Sequence, residues 1–402
     1  MKNRNFTILW VRDALLAAAA SLTSVSVLSG HLLFTGMGES KVSFYLAFVP
    51  LVNLAVSLLF SGISARTEKT VAAYSALCLA AGLLTAVYLP VFKAAGGENA
   101  LFICIMSLGS LVTAVTAVRT IFDYKLPCEV MELDTYSLYV SVSGIVGGVS
   151  GICAGALLTL GYKKLPFTNA TCAAYICAAV CLCAAAAINK TLKKLPTAAK
   201  REANAQNGAG VKALMKNRQF RILIIPNLLR GIGMAVVPMI TIIAVNAGVI
   251  GETDGAAVTV CTYAATLVSC ILYAYLAPKL KASRLLLAGA LLFCVLVPCL
   301  AGGKIPFFIC YTAAYIGYYA VSCAIPDLVY RNAPTEIMSV FHTWRLALST
   351  VGTTAATAVF GRLIGKVPSV WLIAAGCVTH IICAAVYYAV YAQNEKNRRT
   401  AK

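Results

Sequence analysis

Ionisable side chains are rare inside the long apolar stretches of this chain, and those few are where chemistry would be done. The first stretch holds Arg12, Asp13 and His31; Arg119 falls late in the fourth; Arg230 lies in the seventh; His342 and Arg345 share the eleventh; His380 is in the twelfth. A charge at membrane depth costs roughly 3 kcal/mol on insertion scales, so each is expected to face a cavity or a partner. Asp13 is the one acid well inside such a stretch. It is the candidate for coupling to a proton or a sodium ion, the alternative being a structural pair with a neighbouring arginine. Arg230 and Arg345 sit about eight residues from the helix ends expected to face the cytoplasm, roughly 12 Å deep at 1.5 Å per residue and beyond easy snorkelling. A guanidinium there can hold a carboxylate, phosphate or sulfonate through two parallel hydrogen bonds, which points to an anionic solute. Arg12 and Arg119 are shallower. Asp123 follows Arg119 by one turn, and snorkelling or a local ion pair accounts for both arginines.

Helical spacing groups these residues with others. Asp13 and His31 are eighteen positions apart, about five turns at 100° per residue, so on an unbroken helix they share a face with Ser24 between them. His342, Arg345, Ser349 and Gly352 form one polar stripe, and Asn227, Arg230 and Thr241 form another. Tyr311, Tyr315, Tyr318 and Ser322 recur at helical spacing, as do Thr259, Thr262, Tyr263 and Thr266. Tyrosine offers a stacking face and a hydroxyl, so these stripes line a solute pocket or pack as an interfacial belt. His380 has no polar neighbour at helical spacing beyond Thr379 and reads as a satisfied core histidine. Glu129, Glu132 and Asp134 lack a metal-ligand pattern and read as a solvated loop. The sixteen cysteines contain no C-x-x-C pair; they read as small core residues, and no metal or cofactor is expected.

The elements that position these groups follow from composition. At 60% hydrophobic and 12% charged residues, with a mean hydropathy of +0.84, the chain is too apolar for a water-soluble domain and takes the lipid bilayer as its solvent. A membrane-crossing helix needs roughly 20 apolar residues. Such segments fall near 8–34, 43–65, 71–92, 101–122, 136–160 and 168–189, and again near 222–249, 256–277, 285–301, 306–325, 337–360 and 369–391. The first reads as a membrane helix rather than a cleaved leader, because Arg12 and Asp13 interrupt the would-be signal core, the stretch runs on to Phe34 and similar segments follow. Lys and Arg concentrate in alternate connections: Lys2 and Arg4, Arg66 and Lys69, the segment 190–221, Lys279 with Lys281 and Arg284, and the tail 392–402. That pattern puts both termini on the cytoplasmic side of the inner membrane. The net charge of +19 is then a basic inner face beside anionic lipid, with no nucleic-acid partner implied.

The chain also repeats itself. Residues 1–9 read MKNRNFTIL and residues 215–223 read MKNRQFRIL, each leading into an apolar span. Six spans per half give both halves one orientation, a parallel repeat about an axis along the membrane normal, with a solute site expected at their interface. The expected organisation is all-α: a six-helix bundle over 1–189, a basic cytoplasmic linker over 190–221, a second bundle over 222–391 and a cytoplasmic tail over 392–402, the bundles related by pseudo-twofold symmetry.

Six plus six helices, a basic central linker and the Asn-Arg-x-Phe entry to spans one and seven together resemble the major facilitator superfamily along essentially the whole chain. That family's loop between spans two and three commonly reads G-x-x-x-D-R-x-G-R, where this chain has Gly62-Ile63-Ser64-Ala65-Arg66-Thr67-Glu68-Lys69. The resemblance implies a gating role for Gly62, Arg66 and Lys69, while the family's acid is absent and Glu68 is its candidate substitute. Gly144, Gly147, Gly148, Gly151 and Gly155 stand without the proline of the antiporter signature and read as close helix packing. The loop after span two and the stretch from Pro127 to Asp134 also resemble the glycoside-pentoside-hexuronide:cation symporters.

These features converge on a monomeric secondary active transporter for a small organic solute, working by alternating access. Asn227, Arg230, His342, Arg345, Tyr263, Tyr311, Tyr315, Tyr318, Ser24 and His31 are its candidate solute ligands, and Asp13 its coupling residue. The alternatives are a sugar:cation symporter, a membrane-embedded transferase and a solute sensor that does not transport. No Walker-type phosphate loop occurs, so ATP is not the direct energy source in this chain.

Overall fold

The structure is a computed structural model in which residues 2–60, 67, 69–94, 97–131, 133–193, 215–276, 279–332 and 338–400 are described. It has the major facilitator fold and is all-α among the described residues. In lipid every backbone N–H and C=O must be satisfied within the segment, which is why apolar runs of this length become helices.

The first half contains α1 (Lys2–Leu22), α2 (Val25–Phe34), α3 (Glu39–Phe60), α4 (Thr70–Ala94), α5 (Glu98–Val130), α6 (Leu133–Lys164) and α7 (Phe167–Asn189). The second contains α8 (Arg218–Asn246), α9 (Gly255–Leu276), α10 (Ala282–Phe293), α11 (Lys304–Asn332), α12 (Met338–Leu363) and α13 (Ser369–Thr400). Eleven segments among the described residues are long and apolar enough to cross a membrane, α1 and α2 counting together as one. The twelfth, α12, has the length but carries Arg345, Ser349, Thr350, Thr353, Thr354 and Thr357. Large apolar side chains such as Leu59 (80% exposed) and Ile305 (74%) point outward, as a surface solvated by lipid tails requires.

Two compact units emerge: Met1–Asn204 with Glu252–Tyr263, and Ala205–Gly251 with Ala264–Lys402. Each organises itself the same way. In the first, α1 packs on α6 and α7; in the second, α8 packs on α12 and α13. The repeated strings seed equivalent cores, for Leu9 and Leu223 are both fully buried. Phe6 lies 4.5 Å from Trp10, and Phe220 lies 5.0 Å from Phe341. Even the helix ends repeat. At the end of α2, Gly36 (φ 81°) and Met37 donate to the carbonyls of Leu33 and Leu32; at the end of α8, Gly248 (φ 69°) and Val249 donate to those of Val245 and Ala244. Only glycine takes that left-handed turn without steric cost.

Two spans depart from the sequence reading. The first is not one helix: Ser24 is extended (ψ 156°), and its hydroxyl accepts the backbone N–H of Val27 to cap α2, while Thr23 bonds back to the carbonyl of Ala19 at 2.9 Å. The break ends the register on which Asp13 and His31 would share a face. The ninth span begins as α10 but tightens to a 3₁₀ helix over Cys294–Leu300, where Pro298 has no N–H to give to the turn below.

Candidate functional site

In the first unit, α1 buries Arg12 (2% exposed) beside Asp13. Arg12 Nη2 lies 2.6 Å and Nε 2.8 Å from Asp13 Oδ1. Nη2 also donates to the Tyr139 hydroxyl of α6 at 2.8 Å, and that hydroxyl donates to Asp13 Oδ2 at 2.6 Å. Ser143, one turn on, donates to the same oxygen at 2.5 Å. Beneath them the Tyr74 ring lies 5.0 Å from the guanidinium carbon, and its hydroxyl donates to Asp123 at 2.5 Å. The buried cation thus meets a carboxylate and the carboxylate meets two hydroxyls, an arrangement that balances charge within the unit. The pair expected for Arg12 forms with Asp13, and Asp123 is engaged from α4 as well as lying one turn from Arg119.

In the second unit, α8 and α12 cross where Gly231 meets Gly352. A Cβ at either glycine would run into the other helix's backbone, so both must stay bare for the crossing to form. Thr353 donates to the Gly231 carbonyl at 3.0 Å, and Ser349 to the Asn227 carbonyl at 3.2 Å. The Asn227 side chain, fully buried, donates to the Leu223 carbonyl at 2.7 Å and accepts the Tyr387 hydroxyl at 2.9 Å. These contacts hold Arg230 and Arg345 in place, at 3% and 4% exposure. Arg230 Nη2 donates to the Ser322 hydroxyl at 3.1 Å, and its buried Nε has no partner among the described residues. This unit's sequence offers the carboxylates Asp327, Glu336 and Glu395, whose side chains lie outside the described residues.

The tyrosine stripe of α11 is a ladder: Phe307, Tyr311, Tyr315 and Tyr318 follow one another at ring spacings of 6.0, 5.7 and 5.2 Å. Its last rung stacks 6.1 Å from His380, whose ring also lies 4.8 Å from Phe293. His380 is buried with neither ring nitrogen bonded among the described residues, so the expectation of a satisfied core histidine is corrected.

Other candidates fall elsewhere. His31 is fully buried against Phe92 (4.3 Å) and Phe167 (5.9 Å), in an aromatic cluster well removed in register from Asp13. Ser24 shares a 2.5 Å hydrogen bond with Thr259, and Tyr263 lays its ring on Gly151 while its hydroxyl reaches the Ala17 carbonyl at 3.4 Å, all within the first unit. Lys69 is exposed; Gly62 and Arg66, and the side chain of His342, lie outside the described residues. Glu129 is no solvated loop residue: it is 4% exposed in the last turn of α5 and accepts the Thr70 hydroxyl at 2.6 Å. The residues the sequence reading missed are Tyr74, Tyr139 and Ser143. The available signal was the four-residue spacing of Tyr139 and Ser143, which puts two hydroxyls on one helix face.

No family model and no curated protein sequence matches the chain. Solved structures match nearly its whole length at low identity. The nucleoside transporter NupG, as a single-residue mutant, aligns at a TM-score of 0.72 with 12% identity, covering 96% of this chain and 100% of that one. A D-xylose-proton symporter aligns at 0.70 with 11% identity, covering 96% of each. A bacterial homologue of the iron transporter ferroportin, in an inward-facing state, aligns at 0.65 with 17% identity, covering 97% and 99%.

Proposed function

We propose that this multi-pass membrane protein is a secondary transporter carrying a small organic anion across the cytoplasmic membrane by alternating access, with both termini on the inner side. The observation that carries the reading is Arg230. A guanidinium buried in lipid-embedded protein with only a neutral hydroxyl as partner among the described residues carries an uncompensated desolvation cost, and a guest carboxylate, phosphate or sulfonate removes it through charge-assisted hydrogen bonds. Arg345 stands on the helix that crosses α8 at Gly231 and Gly352, and the tyrosine ladder supplies rings and hydroxyls for the solute's remaining surface. The fold shared with the nucleoside transporter and the D-xylose-proton symporter supports carriage over catalysis. Sugar:cation symport is the weaker alternative, because a neutral sugar leaves the buried cation unmatched. Asp13, 12% exposed and ringed by hydroxyls, is the site for a coupling proton or sodium ion, with Arg12 as its resting partner.

Proteoliposomes loaded against a panel of anionic, neutral and cationic metabolites test the reading. Saturable uptake of an anion is expected, lost in Arg230→Ala and reduced at least tenfold in Arg345→Ala. Unchanged uptake in both variants, or uptake of neutral solutes alone, overturns it. If Asp13→Glu and Asp13→Asn both leave gradient-driven accumulation intact, Asp13 is not the coupling residue.

A further inference from the structure

His380 is 1% exposed on α13 and offers a donor and an acceptor to no described residue. A neutral imidazole carries one N–H and one bare nitrogen, and burying both unmatched is costly. Its position is tied to Arg230 through two elements. Gly233, one turn beyond Arg230 on α8, presents bare backbone to the ring: a Cβ there would lie 3.0 Å from Nδ1. On α11, Tyr318 stacks on the imidazole, and its carbonyl accepts the same Ser322 hydroxyl that meets the guanidinium. Three helices therefore bring together a guanidinium with an idle Nε–H and an imidazole with two idle nitrogens, all within the second unit.

The two groups are complementary in what they lack. A guanidinium can only donate, and the Ser322 hydroxyl is already spent between Arg230 and the Tyr318 carbonyl. Among the described residues, the bare imidazole nitrogen is the unused acceptor beside this cluster. Resting on the anion reading above, we propose that His380 is a second solute-binding residue, and that the anion bound with Arg230 carries its own O–H, as hydrogenphosphate or an α-hydroxycarboxylate does. The negative oxygens face Arg230, and the hydroxyl donates to His380. With the bare nitrogen turned to the guest, an anion of equal charge without the hydroxyl sets a lone pair against a lone pair, and the ring must switch to its other tautomer to bind it, a cost that the hydroxyl-bearing anion avoids.

The test is a titration of the detergent-purified full chain with two matched pairs: phosphate against sulfate, at a pH where both are dianions, and lactate against propionate. The expected result is a preference of about tenfold or more for the hydroxyl-bearing member of at least one pair. Preference in the first pair alone identifies a phosphate-type ligand, and preference in the second a hydroxy acid. His380→Leu should bring the ratio close to one while sulfate or propionate affinity stays put; His380→Gln, which retains an acceptor oxygen, should keep the preference. A preference that survives His380→Leu, or Arg230-dependent binding with no preference in either pair, overturns the role of His380 alone. Failure of all four anions to bind the unmodified chain counts against the anion reading itself.

Discussion

Asn227 stands 214 positions after Asp13, the same offset that separates the two copies of the repeated string, and the pair shows how one scaffold came to hold two electrostatic designs. In the first unit a carboxylate at that position anchors Arg12, Tyr139 and Ser143. In the second a neutral amide occupies it, bonded to Tyr387 and the Leu223 carbonyl, while Arg230 lies one turn further along with a hydroxyl for company. Among the described residues Arg12 meets a carboxylate, although its Nη1 stays without a partner, whereas Arg230 meets only a hydroxyl. Symmetric helices are thus compatible with asymmetric electrostatics: Arg12 is paired with a carboxylate inside its unit, and Arg230, on the proposed reading, keeps its charge for a ligand. A cation that is already paired adds rigidity, whereas one left unpaired stores binding energy at the expense of stability.

The largest effect expected from this contrast is on folding. Asp13→Asn leaves Arg12 buried without its counter-charge, and breaking such a pair costs roughly 3–5 kcal/mol. Thermal unfolding in detergent should show a fall of several degrees or more. Arg230→Gln should do the opposite in the absence of solute, with no loss of stability and a small gain. Equal destabilisation by the two substitutions would show that Arg230 has an internal counter-charge after all, and the contrast would collapse.

Asn227→Asp converts the second design toward the first. A carboxylate one turn from Arg230 supplies from inside what the solute is expected to bring, so anion affinity should fall by about tenfold or more, equivalent to roughly 1.4 kcal/mol. Unliganded stability should hold or rise. The measurement is paired: anion titration and thermal unfolding on the same preparation. Reduced affinity together with reduced stability would mean that the new charge disrupts the Tyr387 contact rather than neutralising Arg230.

How far these designs could be read in advance differs by kind. The repeated string, the helix-length apolar runs and the depth of Arg230 and Arg345 are properties of single segments and are visible in sequence. The partners of Asp13 are not. Tyr139 and Ser143 lie about 130 residues away, and spacing within α6 says only that they share a face, never which helix that face meets. Most of these helices are apolar around their whole circumference, since lipid is as apolar as the protein interior, so the usual amphipathic stripe that marks the inward face is missing. The same blindness hid the burial of Glu129 and the missing partners of His380. The break at Thr23–Ser24 was missed for another reason: both residues are tolerated inside a helix, and only the cap on Val27 shows that the backbone turns there.

The smallest effect isolates charge from geometry. Ser143 and Ser349 each lie four residues after a side chain central to their unit, Tyr139 and Arg345, and each donates to the residue at the equivalent place on the partner helix. They differ in acceptor: Ser143 bonds the Asp13 carboxyl group at 2.5 Å, Ser349 a backbone carbonyl at 3.2 Å. Hydrogen bonds to charged groups contribute about 1.5–3 kcal/mol and neutral ones about 0.5–1.5. Ser143→Ala should therefore lower the unfolding midpoint about twice as far as Ser349→Ala, and the gap should close when both are introduced beside Asp13→Asn. If the two serines cost the same in the unmodified background, the acceptor's charge is not what sets the units apart, and the difference between them must be sought in packing at the α8–α12 crossing instead.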